Sequence, residues 1–191
     1  IINFATLPFC IKVADKVICK IYFLSCIVIN YSFKLIMVFV GLFGQAIAGG
    51  IYPFLSQSAS NKEYDKMETL VTGALSKTIA LGILFIALSY PLATEIVALA
   101  FQAGEFTEAD TIYTAKVFTA YLPGAVFFMI VLVLNRLFFA IERTVTPLVI
   151  SSVSLLLTLP AYMVLGEKFG AAGIPVGAGI FSFLTVIGLI I

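Results

Sequence analysis

Residues 21–61 read IYFLSCIVINYSFKLIMVFVGLFGQAIAGGIYPFLSQSASN, and the one charge among them is Lys34. Thirteen uncharged residues precede that lysine and 27 follow it. About 20 apolar residues suffice to cross a bilayer as a helix. A cation left at such depth costs about 2.5–3.5 kcal/mol on insertion scales, so by default it faces a cavity, a partner or a substrate rather than lipid. The stretch therefore predicts a membrane protein with a polar interior, which points towards transport.

Composition agrees. Hydrophobic residues make up 62% of the 191-residue chain and charged residues 11%, against about 45–50% and 25% in soluble domains. Mean hydropathy is +1.16. A net charge of +1 leaves no polybasic patch for nucleic acid or anionic lipid, which need clusters of Lys and Arg. There is no His, which removes the usual general base and the commonest zinc ligand. Cys10, Cys19 and Cys26 make no C-x-x-C and read as small apolar residues on membrane helices. With no nucleophile–base pair, metal spacing or phosphate loop, the expectation is no enzyme, no cofactor and no metal site. The chain starts at Ile1 and ends in an apolar run, and is read as a fragment of a longer transporter.

Hydropathy predicts an all-α, polytopic transmembrane bundle in a single domain over residues 1–191. About six helices are expected, at 1–23, 26–55, 66–100, 109–137, 144–166 and 169–191. A membrane barrel needs segments of about ten alternating residues, whereas these runs are continuous. Ser25-Cys26 is a poor turn, without Gly or Pro. Pro53 with the polar run Ser56 to Asp65 closes the second helix, and Pro147 falls in the first turn of the fifth, where a missing N–H does no harm. Lys62 and Lys66 mark one loop, and Arg136 and Arg143 bracket another. Between them, residues 95–110 hold Glu95, Glu105, Glu108 and Asp110 without a basic residue. The positive-inside rule places the two basic loops in the cytoplasm and the acidic one outside.

Two groups of residues carry candidate chemistry. Lys12, Asp15, Lys16, Cys19 and Lys20 fall within an arc of roughly 140° on a helix. They read either as a charged stripe on a wet cavity or as a helix end snorkelling its lysines into the interface. Lys34 reads either as an interfacial lysine on a helix that begins late or as an electrostatic trap for a phosphate or carboxylate in a low-dielectric cavity. Lys77, placed one or two turns into the third helix, reads as a snorkelling residue. The Gly173 to Gly177 spacing permits close helix packing.

Several runs resemble the MurJ (MviN) family of lipid II flippases. They are Asn30-Tyr31-Ser32-Phe33-Lys34-Leu35, Gly41-Leu42-Phe43-Gly44-Gln45-Ala46-Ile47 and Tyr52-Pro53-Phe54-Leu55-Ser56. Phe101-Gln102-Ala103-Gly104-Glu105-Phe106-Thr107 is similar to the family's F-x-x-G-x-F-T loop. Arg136-Leu137-Phe138-Phe139-Ala140 with Thr144, Thr146 and Pro147 is similar to its FYA and DT-x-TP stretches. Asp15-Lys16 stands at its Asp-Arg pair. The resemblance covers nearly the whole chain and implies one lobe, helices seven to twelve, of a two-lobe transporter in the multidrug/oligosaccharidyl-lipid/polysaccharide exporter superfamily. It implies a multi-pass protein of the bacterial inner membrane whose cargo is lipid II, the undecaprenyl-pyrophosphate-linked peptidoglycan precursor. Lys34 then falls on a cavity-lining position that is usually Arg, and keeps the charge without the bidentate fork. Lys16, with Lys12 and Lys20, would assist. Asp15 matches the acid of a sodium site found in some members, for which residues 156–160 offer only Thr158 as a polar side chain. The rival expectations are a drug or polysaccharide-lipid exporter on the same fold and a membrane fragment without transport.

Overall fold

A computed structural model describes residues 16–101 and 108–190, with side chains from residue 27 onward apart from Glu167 and Ala171. Lys12 and Asp15 lie outside the described residues, as do the side chains of Lys16, Cys19 and Lys20. The described chain is helical throughout. Helix α1 (Lys16–Phe39) continues through one π turn (Val40–Gly44) into α2 (Gln45–Ser60). Then follow α3 (Tyr64–Ser89), α4 (Ala93–Phe101), α5 (Glu108–Ala140), α6 (Val145–Phe169) and α7 (Gly173–Ile190). Five of the rods among the described residues are long and apolar enough to cross a membrane.

Three boundaries differ from expectation. The helix runs without a break through Ser25-Cys26, because neither residue removes a backbone donor. Pro53 lies inside α2 rather than closing it. The expected 66–100 span divides at Tyr90–Leu92, where Pro91 stops α3 and the short α4 begins.

The π turn has a cause in the sequence. Val28, Ser32, Ile36, Val40, Gly44 and Ala48 are all buried at a strict four-residue spacing. Four residues turn an α-helix by about 400°, so such a stripe drifts about 40° per step. A π turn inserts one residue and takes back about 100°, which returns Ala48 and Leu55 to the side that buries Ile36 and Val40.

Helix α5 is the pillar. Its buried residues Phe118, Leu122 and Met129 pack with Val28, Ile36 and Val40 of the first rod and with Val97 of α4. Lower down, Val133 meets Ala48 and Ala74, and Ala140 joins Leu55, Met67 and Val71. The Ser32 hydroxyl donates to the Thr114 carbonyl at 3.1 Å and fixes α1 against α5 near the acidic end. Helix α7 closes on α5 through backbone contact at Gly124 and Gly179, and α6 packs on α7, with Gly177 against Tyr162 and Gly188 against Ile150.

These contacts set a prediction. A Cβ on Gly124 would stand 2.9 Å from the Gly179 Cα, a backbone atom that cannot swing away, whereas a Cβ on Gly49 meets nothing within 4 Å. Gly124→Ala should destabilise the folded protein by about 1–3 kcal/mol, the usual cost of overpacking. Gly49→Ala should leave the melting temperature in detergent unchanged or raise it. Equal melting of Gly124→Ala and wild type would refute this α5–α7 packing.

Candidate functional site

The bundle leaves two open sides of opposite chemistry. On α6 the exposed residues include Leu148, Val153, Leu156, Leu157 and Met163, and the outer half of α3 exposes Ile79, Ile83, Leu84 and Leu88. These are lipid-compatible surfaces. The exposed face of α1 and α2 is different. Asn30, Lys34, Val38 and Gly41 are exposed and fall within about 80° of one another at 100° per residue. Beyond the π turn, Ala46, Gly49, Gly50 and Pro53 are exposed and continue that face. Cβ atoms built on Gly41, Gly49 and Gly50 meet nothing within 4 Å.

Lys34 sits at the middle of the open arc of α1. Ser32 is level with Thr114, six residues into α5 from Glu108, which puts Lys34 about 10 Å inward from the start of that helix. Its ammonium lies 5.6 Å from the Tyr31 ring centroid, a cation–π distance. Among the described residues it makes no ion pair. The Tyr31 ring is itself held by Phe101 at 4.6 Å, and Phe33 by Tyr121 at 6.0 Å. Aromatic packing thus holds the Tyr31 ring that the ammonium faces and, separately, the neighbouring Phe33. No carboxylate occurs anywhere in residues 21–61, so the face carries positive charge without a counter-ion of its own.

Arg136, expected beside a loop, stands inside α5 and reaches across to α2. Its Nη2 donates to Gln45 Oε1 at 3.3 Å, and the guanidinium lies 5.8 Å from the Tyr52 ring centroid. Gln45 follows Lys34 by eleven residues, about 16 Å along the axis. The residues signalling this pair are 91 apart in sequence, and no local pattern reports them. A cleft of about 430 Å³ lies elsewhere, between α5 and α6, lined by Asn135, Thr144, Pro147 and Ser151.

On the α6 side, Thr158 is buried and its hydroxyl donates to the Ser154 and Leu155 carbonyls. The Gly177–Tyr162 and Gly188–Ile150 contacts set Ser154 and Thr158 level with Thr185 and Ser182, all four buried. Ser182 and Thr185 likewise donate to carbonyls one turn earlier on their own helix. Among the described residues no three His, Cys, Asp or Glu gather as a metal site.

A helical lobe with lipid-compatible helices on one side and a small-residue, cation-bearing face on the other defines a multi-pass membrane protein. A family model described as "Lipid II flippase MurJ" matches residues 4–191. The chain belongs to the MurJ family. It is 26% identical over 164 residues to the lipid II flippase MurJ of Thermosipho africanus, covering 85% of this chain and 33% of the relative. It is 32% identical over 130 residues to the probable lipid II flippase MurJ of Buchnera aphidicola subsp. Baizongia pistaciae, covering 68% of this chain and 25% of the relative. The fold matches a solved structure titled "Lipid II flippase MurJ, inward closed conformation" with TM-score 0.78 at 24% identity, over 87% of this chain and 35% of that one. The chain thus spans a quarter to a third of the length of these relatives.

The two open sides should be separable by chemistry. In the full-length protein, cysteines placed at Val38, Gly41 and Gln45 should react with a membrane-impermeant maleimide. Cysteines at Leu156 and Leu157 should stay unlabelled until the membrane is dissolved. Equal labelling of the two sets would erase the distinction between a wet face and a lipid face.

Proposed function

We propose that the chain is one lobe of a flippase that moves lipid II to the outer leaflet of the bacterial inner membrane by alternating access. The observation that carries the reading is Lys34, an exposed cation without an acid partner among the described residues, centred on an open face of small and polar residues. The pyrophosphate of the cargo is the anion such a face would attract, in a cavity where an ionic hydrogen bond is stronger than in water. Lys16, with Lys12 and Lys20, would extend the positive field from the start of the chain. Lys34 offers one point charge where Arg would grip two phosphate oxygens. The absence of carboxylates from residues 21–61 favours an anionic lipid over the cationic drugs of related exporters.

Transport of this kind makes and breaks no covalent bond, so the reading is not enzymatic. The second lobe, carried by the remaining length of the relatives, would close over the open face, and the two would rock about the cargo as in other repeat-built transporters. A monovalent cation is a candidate coupling ion, with Asp15 supplying the charge and the hydroxyls about Thr158 supplying neutral oxygens.

The test is rescue of a flippase-depleted bacterium by the full-length protein. Wild type and Lys34→Arg should restore growth, and Lys34→Ala should fail at unchanged protein level. Equal rescue by Lys34→Ala removes Lys34 from the mechanism, and failure of the wild type sinks the transport reading itself.

A further inference from the structure

Lys77 was expected near the start of its helix, where a lysine snorkels. Helix α3 begins at Tyr64 and ends at Ser89, so Lys77 stands thirteen residues from one end and twelve from the other, about 20 Å in. The nearest other charges along the chain are Glu68, nine residues before, and Glu95, 18 after, so Lys77 stands about 14 Å from the polar start of the helix, farther than a lysine stem extends. The side chain is nonetheless exposed, and among the described residues it has no ion-pair partner. It borders a groove of about 370 Å³ between α2 and α3 whose lining includes Ala46, Gly50, Thr69, Gly73 and Ala74. Side chains of the lobe do not fill this groove, since a Cβ on Gly50 or Gly73 meets nothing within 4 Å. Ala46 and Gly50 also belong to the open face that carries Lys34, so the groove opens onto that face. No carboxylate lines it.

We propose that Lys77 is a second anion-binding station, taking a phosphate-type lipid headgroup within the apolar part of α3. The proposal rests on the transport reading above and adds a binding residue that the resemblance does not supply. Ala46 lies twelve residues beyond Lys34, so the two stations are separated by about 18 Å along the first rod. An anion leaving one would meet the other without crossing the whole layer unpaired. A lysine at this depth with no ligand would instead bear the full desolvation cost on the open face of the lobe.

The test uses the full-length protein with its native cysteines replaced. Lys77→Cys should react with a membrane-impermeant thiol reagent at least about tenfold faster than Ile83→Cys, because only a hydrated thiol ionises. Binding of undecaprenyl pyrophosphate is then measured in nanodiscs of phosphatidylethanolamine, with and without phosphatidylglycerol. Lys77→Gln should weaken binding about ten- to hundredfold, the worth of one charge-assisted hydrogen bond, and Lys77→Arg should restore it. Weakening in both nanodiscs assigns the station to the pyrophosphate. If instead Lys77→Gln lowers retention of phosphatidylglycerol and leaves the probe unchanged, the anion held there is a bilayer phosphatidyl headgroup. Labelling no faster than at Ile83, or unchanged affinity for both lipids, overturns the proposal. Both readouts are independent of growth rescue, so a failure here leaves the Lys34 test standing.

Discussion

The cost of holding an ammonium against hydrocarbon governs how this lobe can be arranged. Lys34 and Lys77 both stand within membrane-length helices, and neither meets an acid among the described residues. The lobe's own packing does not relieve that cost. It instead leaves both lysines on or beside a face where Asn30, Gly41, Ala46, Gly49, Gly50 and Pro53 are interspersed with Val38 and Leu42, while leucine and isoleucine dominate α6 and the outer half of α3. A face that carries an unpaired ammonium and so many small residues gains less from contact with lipid tails than α6 does. Its chemistry is that of a surface turned to water, to a second lobe or to a polar ligand, and the family's longer relatives have the chain length to supply one.

Packing inside the lobe follows membrane rules. Lipid tails are as apolar as leucine, so helices associate through close van der Waals contact rather than through expulsion of water. Helix α5 shows this in two ways. Towards the first rod it uses shaped side chains, with Phe118, Leu122 and Met129 filling the space beside Ile36 and Val40. Towards α7 it uses the absence of side chains, with Gly124 and Gly179 in backbone contact. The Gly173–Gly177 spacing read from the sequence serves α6 instead, where Gly177 accepts the Tyr162 ring. Through α5 the site-bearing rod and the lipid-facing pair α6–α7 belong to one body.

Much of the fold was legible because charge-free runs of membrane length leave few alternatives to helices. Hydropathy reports where a span lies but not where the backbone breaks it. Ser25-Cys26 removes no donor and the helix continues, Pro53 is carried inside α2, and Pro91 follows the end of α3. Lys34 was legible from depth alone. Its place on an open face was not, since exposure depends on what α5 covers, and that information sits more than eighty residues away, as the Ser32–Thr114 bond illustrates.

The π turn joins these observations. The buried stripe of the first rod repeats every four residues from Val28 to Ala48, and an uninterrupted α-helix would have carried it about 200° around the axis. Ala48 and Leu55 would then have turned away from α5, and the glycine face would have rotated out of line with Lys34. Inserting one residue between Val40 and Gly44 corrects the register where Phe39 stacks on Phe85 at 3.4 Å, so the turn is held by α3 as well as by α5. Π turns are uncommon and concentrate at functional positions. Here the gain is that residues from Asn30 to Pro53 share one open side, about 35 Å of rod, without a break in the helix that bears them.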